Sequence, residues 1–248
     1  MPLMGDPGHV ELISYLEGIE SAIGRPEAIV LVSAHWEAPT PTITAGAQPE
    51  LYFDYYGFPP ETYELTYPAP GSVELANGLH GVLSASGFDP VLDNERGFDH
   101  GMFVPLTLMY PDADIPVVQV SLVDGLDPAT HIALGEALRP ITDDGTVLVV
   151  GSGLSYHNMA GFGAGEHDEQ NLAFDSWLER ACTDASIGEE ARRAELIEWE
   201  NAPSARYNHP REEHLVPLHV CYGIGGGPAE RTFAGQVLGK RTAGYSWT

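Results

Sequence analysis

The sequence predicts an α/β domain, a central and mostly parallel sheet flanked by helices on both faces. Three observations carry that expectation. The segments around Ile29-Val-Leu-Val32, Ile115-Pro-Val-Val-Gln-Val-Ser-Leu122 and Thr146-Val-Leu-Val-Val150 are apolar without alternation, as in strands buried on both faces. Stretches with helical apolar spacing separate them. No low-complexity linker or internal repeat divides the 248 residues, so residues 1–248 are expected to form one domain.

The elements follow in order. Asp6-Pro7 ahead of Val10, Ile13, Leu16 and Ile19 reads as a capped helix to about Ile23. The first strand occupies 28–34, and a short strand lies near Thr42–Ala45. Residues 47–71 form a Tyr/Pro-rich loop. Ordinary connections run about 4–6 residues, so a loop this long points to function or to a packed lid. A helix at 72–86 precedes a strand near 88–92, and a short helix is expected from Met102 to Tyr110. A second buried strand covers 115–122, Pro128 opens a helix to about Leu138, and a third buried strand ends in the glycine turn Gly151-Ser-Gly153. Helices are expected at 168–182, 189–200 and from Glu212 to Tyr222.

Composition narrows the function classes. Asp and Glu total 36 against 11 Lys and Arg, a formal net charge of −25, and Lys240 is the only lysine. The acidic residues are spread along the chain and so belong to the folded surface. Such a surface repels itself until salt shortens the Debye length to about 3 Å near 1 M, which points to a salt-rich cytoplasm. Basic patches for nucleic acid or anionic membranes are missing, so neither partner is expected. No basic and apolar leader opens the chain, and no apolar stretch approaches a membrane span. Cys182 and Cys221 form neither a disulfide framework nor a CxxC metal site. A homo-oligomer is left open.

The ten histidines carry the chemistry. His35 closes the first apolar strand, at the carboxyl end where ligands collect in α/β sheets. His157 follows the third strand, His100 lies in the loop Arg96-Gly-Phe-Asp-His-Gly101, and His209 and His214 precede or open the late helix. Strand-end and loop placements let such side chains converge. Imidazole serves as a metal ligand or as a general acid/base. Each residue alone also has a plain reading, as a hydrogen-bonding loop, cap or surface histidine. His9, His80, His131 and His167 are read as surface or core residues, with His209 and His219 intermediate. HExxH, GxSxG and P-loop patterns do not occur.

Taken together, Ser33-Ala-His-Trp36, Tyr56-Gly-Phe-Pro59, Tyr67-Pro-Ala-Pro-Gly71, Gly97-Phe-Asp-His-Gly101, Tyr110-Pro-Asp-Ala-Asp-Ile-Pro-Val-Val-Gln119, His157-Asn158 and Glu213-His214 resemble the class III, LigB-like extradiol ring-cleavage dioxygenases, in the 4,5-DOPA dioxygenase-like branch. The resemblance runs from about Met1 to Tyr245. It implies an α/β sandwich and a non-haem metal-dependent dioxygenase that opens a catechol-type ring with O2. It implies Fe(II) for activity, with Zn(II) an alternative occupant in isolated protein. By resemblance His35 and His214 are metal ligands, His157 is the acid/base and His100 a second catalytic residue lining the pocket. Tyr56 and Phe58, with Tyr55, would cover the substrate, and Asn158 would contact it. Asn158 or Asp99 would orient the imidazoles.

One departure stands out. In the family a strand ending in His-Gly, whose histidine is the first metal ligand, comes just before the stretch matching Pro2–His9. Met1 falls immediately after that place, and His9 matches a later helix position. The expectation is a start further upstream, with residues 1–248 lacking a central strand, unpaired edges on its neighbours and two protein ligands for the metal. A catalytically inactive, Memo-like metal-binding or interaction protein is the competing reading on the same fold, and a zinc hydrolase a third. Retention of both His100 and His157 favours the enzyme.

Overall fold

The computed structural model describes residues 2–163 and 168–247. Its centre is a five-stranded sheet built from β1 (Ala28–Ala38), β2 (Thr42–Thr44), β3 (Val91–Asp93), β4 (Val117–Val123) and β5 (Val147–Ser152), in the spatial order β3-β2-β4-β1-β5. All pairings are parallel except β2 against β4. The expected mostly parallel sheet is therefore present.

Both faces are covered, which explains the unbroken apolar runs. Val30 and Val32 of β1 and Val118 and Val120 of β4 pack under α3 (Val73–Ala85), α5 (Pro128–Thr142) and α9 (Val216–Gly225). Ile29 and Leu31 point the other way, onto α4 (His100–Met109) and toward α1 (Val10–Glu17) and α2 (Ile19–Ile23). Alternate side chains thus enter two different cores, and neither face of these strands is left to solvent. A third apolar cluster joins α6 (Glu169–Thr183) and α7 (Glu189–Ile197) around Trp199, beside the short α8 (Ala205–Asn208).

Several boundaries depart from the sequence expectation. The first helix is broken at Gly18 into α1 and α2. β1 continues to Ala38, so His35 lies within the strand and not just past it. The strand expected near 88–92 is Val91–Asp93. The late helix begins at Val216, not Glu212, with Pro217 in its first turn, where a missing N–H is harmless. A C-terminal hairpin, β6 (Glu230–Val237) and β7 (Lys240–Ser246), was not foreseen. Its two-residue turn places both Leu238 and Gly239 at positive φ, 51° and 77°. That geometry suits the strand twist, but leucine is not its usual signal. No helix among the described residues is long and apolar enough to cross a membrane.

Candidate active site

The site is built where β1 changes its pairing. From Val32 to Glu37 the register advances five residues on β1 but only two on β4, from Val120 to Leu122. The surplus residues bulge, and bulges re-aim side chains next to sites. His35 sits in this bulge. Its N–H donates to Ser33 Oγ at 3.1 Å, and Ser33 Oγ donates to Asp99 Oδ1 at 2.7 Å. Asp99 is fully buried and is also held by Gln119, whose Nε2 donates to Oδ2 at 3.0 Å. The Arg96 guanidinium stands 3.4 Å from that same oxygen and lies 4.4 Å over the Trp36 ring. Burial raises the Asp99 carboxyl, against the pull of these partners.

This network locks β1 to the N-terminus of α4, where His100 begins the helix. Close approach is required there: a Cβ on Gly101 would stand 2.3 Å from Ser33 Oγ and 3.1 Å from His35 Cδ2. The His35 and His100 rings lie 3.9 Å apart. On the other side of His35, the His214 ring is 4.9 Å away and nearly perpendicular, and His157 stacks on His214 at 3.4 Å and 20°. The four rings form a row: His100, His35, His214, His157. His214 arrives in the turn before α9, close against the glycine turn after β5, where a Cβ on Gly153 would meet its carbonyl oxygen at 2.2 Å.

Two carboxylates flank the row. Asp54, from the long loop, accepts from both the His100 backbone N–H and ring Nδ1 through Oδ1, at 2.9 and 2.8 Å, and its Oδ2 lies 3.7 Å from His35 Nδ1. Glu213 Oε1 is 3.1 Å from His157 Nδ1. Burial pushes each carboxyl up, but the histidine hydrogen bonds outweigh it and leave both below their ordinary values. His35 is lowered to about 4 by burial and the neighbouring His100, against Asp54. His214 is held well below its ordinary value by burial and by His157. Both middle histidines are therefore neutral at pH 7, the form that ligates metal.

Asp54 and Glu213, and not Asn158 or Asp99, are the groups within hydrogen-bond distance of the His100 and His157 rings. Asn158 spends its amide on a turn, with Nδ2 donating to the Tyr207 carbonyl at 2.7 Å and Oδ1 accepting from Ala160 N–H at 3.1 Å. Asp99 reaches His35 only through Ser33. Tyr56 is 92% exposed and Phe58 44%. Tyr55 is the aromatic against the row, edge-on to His100 at 5.5 Å, with Phe58 packed on it at 5.4 Å. His209, His131 and His219 are core residues bonded to backbone at Ser155, Asp127 and Leu196 respectively. His9 is buried and His80 half-buried, and His167 lies outside the described residues. The sequence offered no signal for Asp54 or Glu213 beyond their lying in or next to the quoted motifs.

A cavity of about 1290 Å³ opens on the four histidines and runs along β5 toward Gly145, lined also by α1, α2 and β7. β5 ends the sheet, so among the described residues its outer edge has no partner strand. The residues fit a divalent cation. His35, Asp54 and His100 form one group of closely spaced donors and His157, Glu213 and His214 another. His214 Nδ1 is buried without a hydrogen-bond partner. Imidazole with carboxylate is a donor set of non-haem iron and zinc.

Residues 11–244 match the family described as the catalytic LigB subunit of aromatic ring-opening dioxygenase. The chain belongs to that family. The dioxygenase tasH from Hapsidospora irregularis is 38% identical over 267 aligned residues, spanning 100% of this chain and 82% of that one. A 4,5-DOPA dioxygenase extradiol from Beta vulgaris is 44% identical over 205 residues, 82% of this chain and 74% of its own. The crystal structure of an uncharacterised protein from Escherichia coli K12 superposes with a TM-score of 0.76 at 28% identity, covering 93% of this chain and 90% of that one. This LigB-type protein is an oxidoreductase, a dioxygenase of the extradiol kind.

Proposed function

We propose that the protein cleaves a catechol-type aromatic ring on the extradiol side with O2, using His35 and His214 to hold a non-haem divalent metal. Fe(II) is the ion for turnover, and Zn(II) would fit the same donors. The observation that carries this reading is the row of four imidazoles, drawn from β1, α4, the turn after β5 and the turn before α9. When bound, a redox-active ion supplies a path for electrons between an electron-rich aromatic and dioxygen. The reaction needs no outside reductant, because both oxygen atoms end in the product and the ring supplies the electrons.

Protons are conserved between catechol plus O2 and the ring-opened product, so a proton taken from a phenolic oxygen must be held and returned. His157 is suited to that work. Its Nδ1 faces Glu213, which leaves Nε2 to accept a proton from substrate and give it back. His100 stands at the other end of the row with Tyr55 against it, lining the pocket. Phe58 backs Tyr55, and Tyr56 and Asn158, next in sequence to Tyr55 and His157, are assigned to substrate contact on the family resemblance. Residues 1–248 are read as one LigB-like domain, in which the outer edge of β5 beside the cavity has no partner strand among the described residues. A salt-rich setting is supported by the net charge of −25.

The test is anaerobic reconstitution with Fe(II), followed by air and a panel of catechols that includes DOPA. A yellow ring-opened product formed with matching O2 uptake is expected. No product on any catechol from demonstrably iron-loaded protein refutes the assignment.

A further inference from the structure

We propose that Asp54 and Glu213 are positioning residues that fix the tautomers of His100 and His157, so that both end histidines turn Nε2 toward the pocket. The inference rests on the reading of this row as the site of ring opening, and it adds two residues that no motif assigned. The two contacts have the same form. In each, a carboxylate oxygen stands within hydrogen-bond distance of Nδ1, at 2.8 Å for His100 and 3.1 Å for His157. An ionised carboxylate only accepts, so the proton of a neutral imidazole must sit on Nδ1. An imidazole in water prefers its proton on Nε2, so each contact reverses the intrinsic preference.

Each carboxylate is itself held in place. Asp54 Oδ1 also accepts the His100 backbone N–H, and Tyr55, its neighbour in sequence, packs edge-on against His100 while its hydroxyl donates to the Thr62 carbonyl. Asp54 therefore cannot leave the His100 ring without giving up a backbone bond. Glu213 directly precedes His214, and His214 stacks on His157, so one turn places both the carboxylate and the ring that pin His157. Arg211 stands behind Glu213 at 3.9 Å. The consequence is a proton acceptor at each end of the row, with the metal-binding pair His35 and His214 between them. A substrate with two neighbouring hydroxyls would meet a proton acceptor on either side.

The tautomers can be read directly. Protein labelled with [15N]histidine and loaded with zinc is examined by long-range 15N–1H correlation at about pH 7.5, with His100→Ala and His157→Ala assigning the signals. Nδ1–H patterns are expected for both residues. Asp54→Ala should convert only the His100 pattern, and Glu213→Ala only that of His157. Asp54→Asn and Glu213→Gln keep a carbonyl acceptor and should restore the original patterns. In the iron-loaded enzyme the two alanine variants should lose about 10–100-fold in kcat with KM little changed, the range typical of groups that orient site histidines.

Nε2–H patterns in the unmodified protein overturn the proposal, and that measurement does not depend on any variant folding. Unchanged patterns in folded alanine variants overturn it as well. The spectra need no substrate, so they separate this proposal from the ring-opening assignment. Correct tautomers without catechol turnover would refute only the activity, and turnover with the opposite tautomers only the positioning.

Discussion

His219 provides a buried proton site whose effect on stability can be worked through. It lies on α9 with no exposure, and its Nε2 donates to the Leu196 carbonyl at 2.9 Å. Burial lowers its pKa to about 4, against the raising effect of that bond. In the unfolded chain a histidine titrates near 6.5. Between those values the unfolded chain binds a proton that the folded one does not. The stability contributed by the neutral ring is therefore fully present above about pH 6.5 and is lost progressively as pH falls toward 4. One group gives a slope of about 1.4 kcal/mol per pH unit, so the loss from His219 is about 2 kcal/mol at pH 5. His219→Gln retains an N–H donor for Leu196 and has no proton to gain. Urea denaturation between about pH 7.5 and pH 5, in molar KCl with a chelator present, should show the variant losing about 2 kcal/mol less than the parent. The variant will start lower, because its amide does not fill the ring's space. Parallel stability–pH curves for the two proteins would show that His219 is not held neutral by burial, and the reasoning would fail.

Other outcomes follow from the same structure. Gly101→Ala drives a Cβ into Ser33 Oγ and His35; a stability loss of about 1–3 kcal/mol and a lower kcat are expected, read by urea melts and O2 uptake. His35→Ala and His214→Ala should each sharply reduce the zinc retained after dialysis, measured by atomic spectrometry, whereas His80→Ala should leave it unchanged. Arg192 is fully buried and donates to the backbone carbonyls of Ala181, Asp184 and Ile187 near the end of α6. Arg192→Met strands those carbonyls and should cost several kcal/mol at about 1–3 for each unsatisfied group, seen as a lower urea midpoint. Molar KCl should raise Tm, because it screens a surface carrying a net charge of −25; a Tm that falls with added KCl would argue against the high-salt reading.

The α/β architecture could be read from the chain because burial on both faces leaves a local mark. Ile29 to Val32 are all apolar for the plain reason that odd and even residues enter different cores. The order of motifs around His35, His100, His157 and His214 was likewise visible, and so was the family they resemble. What the sequence by itself determined was the class of fold and the four histidines. The tertiary structure decided how they are arranged, and which neighbours serve them. Asp54 meets His100 across 46 residues and Glu213 meets His157 across 56, and no local periodicity encodes contacts of that span. It also separated His209 and His219, spent on backbone carbonyls in the core, from chemically similar residues at the site. Tyr55, and not the more exposed Tyr56, came to rest against His100, since a loop's packing depends on the surface it folds onto. Periodicity reports whether a side chain is buried. Which groups it is buried against is settled only when the chain closes on itself.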